Sequence, residues 1–303
     1  MYTEVRRLSR TYNLTAAAAL FFPLLSVYLF FCPAVNLELY QLFAVHPTHE
    51  PLDLSKPIQI MGVKGEHTFF PVLKDAGPQV LMHGIYFKNK CARALILVSP
   101  SNAFCLAHFV KSKQIAHLLK LGFDVFMYDY EGFGKSQGKA DYRKLGNDGI
   151  SAYTYVTQKL QPKAVILYGL SMGTGVSAYV AQRKKADAVI LDSPYVSPEK
   201  TIKLWQPVLN LYPSFFFPGP HFDNDTYIKG AHPPTMILNM GLDKVTYPEQ
   251  GETLYKVASQ PVTYQLLPNS IHGLIAADEE DTYSRSINEF VSQIRLAAPD
   301  EVK

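Results

Sequence analysis

Short apolar runs that alternate with amphipathic segments constrain the fold of this 303-residue chain more than any other feature. Runs such as ALILV and AVILY contain no polar residue, which is typical of strands covered by helices on both faces. The predicted strands are Val80–Phe87, Ala94–Val98, Val125–Tyr130, Ala164–Tyr168, Ala188–Leu191, Thr235–Asn239 and Val262–Leu267. The predicted helices are Ala107–Lys120, Tyr142–Leu160, Met172–Lys184, Pro248–Ser259 and Asp278–Ile294. This alternation predicts an α/β fold with a mostly parallel central sheet and helices on both faces.

Composition excludes several classes of protein. A hydrophobic content of 48% indicates a globular chain and not a disordered one. The net charge of +3 is too small to indicate a nucleic-acid partner. The cysteines, Cys32, Cys91 and Cys105, lack the spacing of a metal site and are too few for a disulfide framework. We therefore expect no metal and no nucleic-acid ligand.

The segment Ala16–Val35 carries no charged residue and has roughly the length that a helix needs to cross a bilayer. Arg6, Arg7 and Arg10 precede it, and Glu38 follows it. Because positive charge is retained in the cytoplasm, this pattern predicts a single-pass anchor with the remaining chain on the non-cytoplasmic side.

Two alternatives stay open for this segment. It could be a leader cleaved near Cys32-Pro33-Ala34, which would release a secreted or periplasmic protein. It could also be a buried core helix, although Pro23 disfavours that interpretation. The predicted organisation is a cytoplasmic tail over 1–15, an anchor or signal segment over 16–35, a linker over 36–52, one α/β domain over 53–297 with a cap insertion near 197–232, and a tail over 298–303.

The pentapeptide Gly169-Leu170-Ser171-Met172-Gly173 lies between a predicted strand and an Ala- and Gly-rich helix. The pattern G-x-S-x-G in this context indicates a sharp, strained turn that projects the serine hydroxyl above the sheet edge. Ser171 is thus the candidate nucleophile, and the backbone N–H of Met172 is the first candidate donor to a developing oxyanion.

A serine nucleophile requires a base and an acid that orients it. Asp243 follows the next-to-last predicted strand, and His272 follows the last one, so both should reach the carboxyl edge of a parallel sheet. Asp192, which ends the strand AVILD, is the alternative acid. The order serine, acid, histidine favours Asp243.

These motifs resemble the alpha/beta-hydrolase superfamily, and in particular its small membrane-associated serine hydrolases, which include depalmitoylating thioesterases and lysophospholipases. The resemblance extends from about Ala92 to Phe290. The motifs that carry it are Tyr128–Ser136, Gly169–Gly173, Asp192-Ser193-Pro194, Phe222-Asp223, Gly241-Leu242-Asp243 and His272-Gly273. It implies a triad of Ser171, Asp243 and His272, and an oxyanion hole shared between Met172 and the loop after the third family strand.

That loop departs from the family pattern. Relatives carry His-Gly there, whereas this chain has Ser99-Pro100-Ser101-Asn102-Ala103. Proline has no N–H to donate. The second oxyanion donor is therefore expected at Asn102, with Ser101 as the next candidate.

Two further motifs suggest nucleotide chemistry. Gly134-Lys135-Ser136 resembles the end of a phosphate-binding loop, but Asp129 occupies the position of the required first glycine. The segment Gly173–Ala178 fits a dinucleotide fingerprint with Asp192 downstream, yet that interpretation leaves Asp243 and His272 without a role.

Aromatic residues are concentrated in the predicted cap, namely Trp205, Tyr212 and Phe215–Phe217. They either pack the cap onto the sheet or line an acyl pocket. We expect a serine hydrolase that cleaves a lipidic or acylated ester or thioester, without a cofactor. The open alternatives are a serine peptidase and a non-catalytic binding protein of the same fold.

Overall fold

A computed structural model describes residues 21–55, 58–73, 78–90 and 92–294. A nine-stranded sheet runs through this part of the chain in the order β1-β2-β3-β5-β4-β6-β7-β8-β9. The strands are β1 (Ile58–Ile60), β2 (Val63–Pro71), β3 (Leu81–Phe87), β4 (Leu95–Ser99), β5 (Asp124–Tyr128), β6 (Val165–Leu170), β7 (Ala188–Asp192), β8 (Thr235–Met240) and β9 (Val262–Leu267). The six strands β4–β9 pair with one another in parallel. At one side of the sheet, β1 pairs antiparallel with β2, β2 with β3, and β3 with β5. The mostly parallel α/β fold is therefore confirmed.

All seven strands predicted from apolar runs correspond to β3–β9. The two missed strands, β1 and β2, lie at the sheet edge. In β2 (VKGEHTFFP), charged and polar residues interrupt the apolar ones, and its burial changes along the strand. Both strands lie in the antiparallel outer part of the sheet, and their partly exposed residues interrupt the continuous apolar run that identifies the central strands.

Helices flank the sheet on both faces. They are α3 (Leu106–Phe109), α4 (Lys113–Lys120), α5 (Leu145–Tyr155), α6 (Met172–Ala181), α7 (Pro198–Trp205), α8 (Asn224–Lys229), α9 (Pro248–Val257) and α10 (Glu280–Gln293). Alternate residues of one strand belong to different hydrophobic clusters: Leu95 and Leu97 pack on one side, and Ile96 and Val98 on the other. This double burial explains why the central strands are apolar at every position.

The predicted cap folds into α7, two short 3₁₀ turns (Pro207–Leu211 and Ser214–Phe216) and α8. Tyr212 and Phe217 are buried within it, whereas Phe215 is largely exposed. The aromatic segment thus provides both a packed interior and an apolar outer surface.

Two helices precede the sheet. Residues 21–31 are helical and form α1, and Leu37–Ala44 forms α2 within the segment predicted as a linker. The side chain of Asn36 caps α2 by accepting a 3.1 Å hydrogen bond from the N–H of Leu39. The predicted linker therefore contains ordered structure that packs on the domain.

Helix α1 contacts the domain only near its end. The ring of Tyr28 lies 4.6 Å from that of Tyr212, at an interplanar angle of 30°, and Cys32, just after the helix, is fully buried. Residues 21–27, by contrast, are all exposed. Among the helices that the structure describes, none has both the length and the apolar character required to span a bilayer. Residues 16–20 of the predicted anchor lie outside the described residues.

Candidate active site

Ser171 occupies the sharp turn between β6 and α6. Its backbone has φ +55° and ψ −119°, a region that side chains rarely adopt. A Cβ at Gly169 would overlap the carbonyl of Gly173, and a Cβ at Gly173 would overlap the carbonyl oxygen of Ser99. The two flanking glycines of the motif are therefore required by close backbone approach.

Hydrogen bonds hold this strained turn in place. The N–H of Ser171 donates to the carbonyl of Asp192 (2.9 Å), which ties the turn to the end of β7. The hydroxyl of Thr174 donates to the carbonyl of Ser171 (2.6 Å). The serine is thus presented from a rigid support, as precise positioning of a nucleophile requires.

Asp243 and His272 meet at the carboxyl edge of the sheet. Oδ2 of Asp243 lies 2.7 Å from Nδ1 of His272. Oδ1 of Asp243 accepts hydrogen bonds from the N–H groups of Val245 (2.7 Å) and Thr246 (2.9 Å). Burial raises the pKa of Asp243, but the hydrogen bond and charge of His272 and the two backbone donors outweigh it and hold this pKa below its ordinary value. An ionised Asp243 keeps the proton of His272 on Nδ1 and leaves Nε2 free to act as a base.

The Ser171 hydroxyl forms no hydrogen bond with any of the described residues, and Ser171 lines a cavity. Such contacts between nucleophile and base often become short only when substrate is bound. The structure therefore brings Asp243 and His272 into direct contact. It places Ser171 at the cavity, at the end of β6, which β7 separates from β8.

Asp192, the alternative acid, is engaged elsewhere. It is fully buried, and it accepts hydrogen bonds from the hydroxyls of Tyr168 and Ser193. Tyr168 also contacts the hydroxyl of Tyr283 at 3.0 Å. Burial raises the pKa of Asp192 to about 6. Asp192 thus belongs to a buried tyrosine cluster beneath the turn, while Asp243 is the carboxylate hydrogen-bonded to His272.

The loop after β4 follows the edge of the cavity. Asn102 and Met172, the two predicted oxyanion donors, both line the cavity together with Ser171. The hydroxyl of Tyr130 donates to the carbonyl of Pro100 (3.0 Å), and the N–H of His46 donates to the carbonyl of Asn102 (2.9 Å). Ser101 is buried. The loop is consequently anchored from both the sheet side and the N-terminal segment.

The cavity beside Ser171 is partly open to solvent, has a volume of about 50 Å³ and is mainly apolar. Its wall residues come from α2, α7 and the loops around the site. They are Tyr40, Ala44, Asn102, Tyr142, Ser171, Met172, Tyr195, Pro198, Thr201, Ile202, Trp205 and Thr246. The contribution of α2 was missed in the sequence, although the capping residue Asn36 before LELYQLFA was a signal for a helix there.

The two nucleotide-like motifs have packing roles. Gly134 adopts φ +48° against the carboxylate of Asp129, and Ser136 donates a 2.7 Å hydrogen bond to the carbonyl of Asp129. Gly175 lies against the hydroxyl of Tyr195 and the backbone of Phe222, where a Cβ would not fit. Across the described residues, no group of three or more histidine, cysteine or acidic side chains could hold a metal ion.

Comparison with known proteins agrees with this geometry. A family model described as alpha/beta hydrolase fold matches residues 100–269, and the chain belongs to this family. The solved structure of the Pyrococcus furiosus esterase Pf2001 superposes with a TM-score of 0.65 at 17% identity, covering 84% of this chain and 99% of that one. The chain therefore has the fold of the alpha/beta-hydrolase family, to which it belongs.

Curated relatives make the comparison more specific. The lysophosphatidylserine lipase ABHD12 of Danio rerio is 30% identical over 158 residues, which is 47% of this chain and 41% of the relative. The uncharacterized protein YfhR of Escherichia coli O157:H7 is 29% identical over 58% of this chain and 63% of its own length. The chain spans about half the length of the curated relatives it matches.

Proposed function

We propose that this protein is a membrane-associated serine hydrolase that cleaves an ester or thioester of a lipid-like substrate with an acyl chain. The observation that carries the proposal is that Ser171 lines an apolar cavity together with Thr246, whose hydroxyl contacts both members of the hydrogen-bonded Asp243–His272 pair. The lipase and esterase names among its relatives support the same class of chemistry.

The reaction would follow from this arrangement in two steps. Nε2 of His272 takes the hydroxyl proton as Oγ of Ser171 attacks the substrate carbonyl carbon, and the carbonyl oxygen becomes an oxyanion. The N–H of Met172 and a donor of Asn102 stabilise that oxyanion. The intermediate collapses, the imidazolium protonates the leaving oxygen or sulfur, and an acyl-enzyme remains. A water molecule, deprotonated by His272, then hydrolyses the acyl-enzyme and restores the serine.

Membrane association is supported by the surface of α1. Its exposed residues include Phe21, Phe22, Leu24, Val27 and Phe30, which are distributed around the helix. A helix that is apolar on all sides normally lies either in a protein core or in lipid, and this one projects from the domain. With Arg6, Arg7 and Arg10 upstream, the proposed orientation places the hydrolase domain on the non-cytoplasmic side.

An activity-based probe tests the proposed chemistry. A fluorophosphonate should label the wild-type protein at Ser171, and acyl esters and thioesters should be hydrolysed faster than amides of the same acyl group. Absence of labelling would indicate a non-catalytic protein of the same fold, and preferential amide cleavage would indicate a peptidase.

Cell fractionation tests the proposed location. The full chain should remain with membranes after a high-salt or carbonate wash, and protease added from the non-cytoplasmic side should digest the domain. A shortened soluble form beginning near Ala34 would instead indicate a cleaved leader.

A further inference from the structure

We propose that helix α2 sets the length of the acyl chain that the site accepts, through Tyr40 and Ala44. This inference rests on the proposed function and names the element that selects among its substrates. Tyr40 and Ala44 are four residues apart, so they lie on the same face of the helix, and both line the cavity at Ser171. A helix encoded before the first strand thus supplies one side of the site.

Aromatic packing makes Tyr40 a firm part of that side. The residue is almost fully buried. Its ring makes edge-to-face contacts with Tyr142, at a centroid distance of 5.8 Å, and with Phe217, at 6.2 Å. These contacts fix the ring from two directions, since aromatic pairs prefer this geometry. Tyr40 therefore limits the cavity as a rigid surface.

Helix α7, which contacts α2, also lines the cavity. Its residues Ile202 and Trp205 contribute to the lining, and Ile202 is buried. The indole N–H of Trp205 donates to the carbonyl of Val245 (3.0 Å), in the loop that also carries Asp243. We call Tyr40, Ala44, Ile202 and Trp205 the acyl wall. An alkyl chain bound at Ser171 would lie against the acyl wall and would remove its apolar surface from water.

Ala44 is the smallest side chain in the acyl wall. Any larger residue at this position takes space from the cavity, whereas a smaller residue at position 40 adds space. Leu42 lies on the same helix but is 66% exposed and does not line this cavity. The helix therefore offers two changes with opposite expected effects and a control position.

The experiment compares hydrolysis of p-nitrophenyl acetate, octanoate and palmitate by full-length protein in detergent. Ala44→Leu should lower kcat/KM for palmitate by about tenfold or more, should lower that for octanoate less, and should leave acetate within about twofold. Tyr40→Ala should raise the ratio of palmitate to acetate turnover. Leu42→Phe, which adds bulk to the same helix outside the cavity, should leave the wild-type profile unchanged.

The outcomes separate this inference from the proposed function. If wild-type protein reacts with the fluorophosphonate but Ala44→Leu reduces turnover of all three esters equally, or of none, α2 does not set chain length. If Tyr40→Ala leaves the palmitate to acetate ratio unchanged, the inference is again overturned. If the wild-type protein neither labels nor hydrolyses any ester, it is the proposed function that fails.

Discussion

The residues that are proposed to carry out the reaction and those proposed to select the substrate are positioned in different ways. Ser171, Asp243 and His272, here called the catalytic corner, follow three strands of the parallel sheet, β6, β8 and β9, with β7 between the first two. The acyl wall comes from helices outside the sheet, one of which precedes the first strand. We therefore expect substitutions in the catalytic corner to lower turnover of all substrates alike. The effect of substitutions in the acyl wall should instead depend on the length of the acyl chain.

The largest expected effect is that of Ser171→Ala. Turnover of every ester should fall by a factor on the order of 10⁴ to 10⁶, because the triad acts as a unit. Fluorophosphonate labelling should disappear, and the melting temperature should change little, since the lost hydroxyl has no hydrogen bond within the described residues.

Ser177→Ala is the matched control for that substitution. Ser177 lies on the same helix, α6, and its buried hydroxyl has no partner among the described residues. Normal turnover in Ser171→Ala, or a comparable loss in Ser177→Ala, would contradict the assignment of the nucleophile.

Replacing the carboxylate that contacts His272 should have the second-largest effect. Asp243→Asn should reduce kcat by about 10⁴ for short and long esters alike, because an amide does not hold the imidazole in the required tautomer. Asp192→Asn should reduce kcat far less, since Asp192 contacts Tyr168 and Ser193 and not His272. The reverse ranking in steady-state kinetics would place the acid after β7.

An intermediate effect should arise at the hydrogen bond from the N–H of His46, which follows α2, to the carbonyl of Asn102 in the loop after β4. His46→Pro removes this donor, while His46→Ala keeps it. The proline variant should lose about tenfold to a hundredfold in kcat with little change in KM, because a displaced loop weakens oxyanion stabilisation. The alanine variant should behave as wild type.

The same pair of variants also tests whether the two groups of residues act separately. A loss in His46→Pro that grows with acyl-chain length would mean that the contact shapes the acyl wall instead of the oxyanion loop. An equal loss in His46→Ala would assign the effect to the imidazole ring and not to the backbone donor.

The smallest expected effect concerns stability and pH. Burial raises the pKa of Asp192 to about 6, so the folded state binds this proton more tightly than the unfolded state does. The group therefore adds stability as the pH falls through about 6 toward 4, and that contribution is lost as the pH rises. Asp192→Asn removes the dependence. Its melting temperature relative to wild type should be higher, by a few degrees, at about pH 7.5 than at about pH 5. A pH-independent difference would contradict this account.

The sequence predicted the fold from its apolar runs, and it proposed the members of the catalytic corner because each follows the end of a predicted strand. Such runs mark buried parallel strands, and their carboxyl ends meet at one edge. Ser171 had a further signal in its two flanking glycines. The structure explains them, because a Cβ at Gly173 would overlap the carbonyl oxygen of Ser99 and a Cβ at Gly169 would overlap the carbonyl of Gly173.

The choice between the two carboxylates was harder to make from spacing. Both Asp192 and Asp243 follow strands of the sheet. What distinguishes them are side-chain and loop contacts: the hydroxyl of Tyr168 on one, and the N–H groups of Val245 and Thr246 on the other. Such contacts depend on three-dimensional packing and leave no regular pattern in the sequence.

The acyl wall was predicted only in part. The aromatic residues of the cap indicated that Trp205 could line a pocket. Helix α2, however, lies in the segment 36–52, which the sequence predicts as a linker because prolines and histidines follow the helix. Its helix is only eight residues long, and it is stabilised by the contacts of Tyr40 with the domain. A short helix of this kind depends on tertiary packing more than on its own propensity.

The short connection between α1 and α2 has a consequence for the reach of the enzyme. Only residues 32–36 separate the two helices, and Cys32 at the start of this connection is fully buried. A bilayer that held α1 would therefore keep Ser171 at a fixed height above the membrane surface, because no flexible linker separates α1 from the domain. The enzyme would sample only molecules in its own patch of surface, so its rate would follow the density of substrate per unit area of membrane.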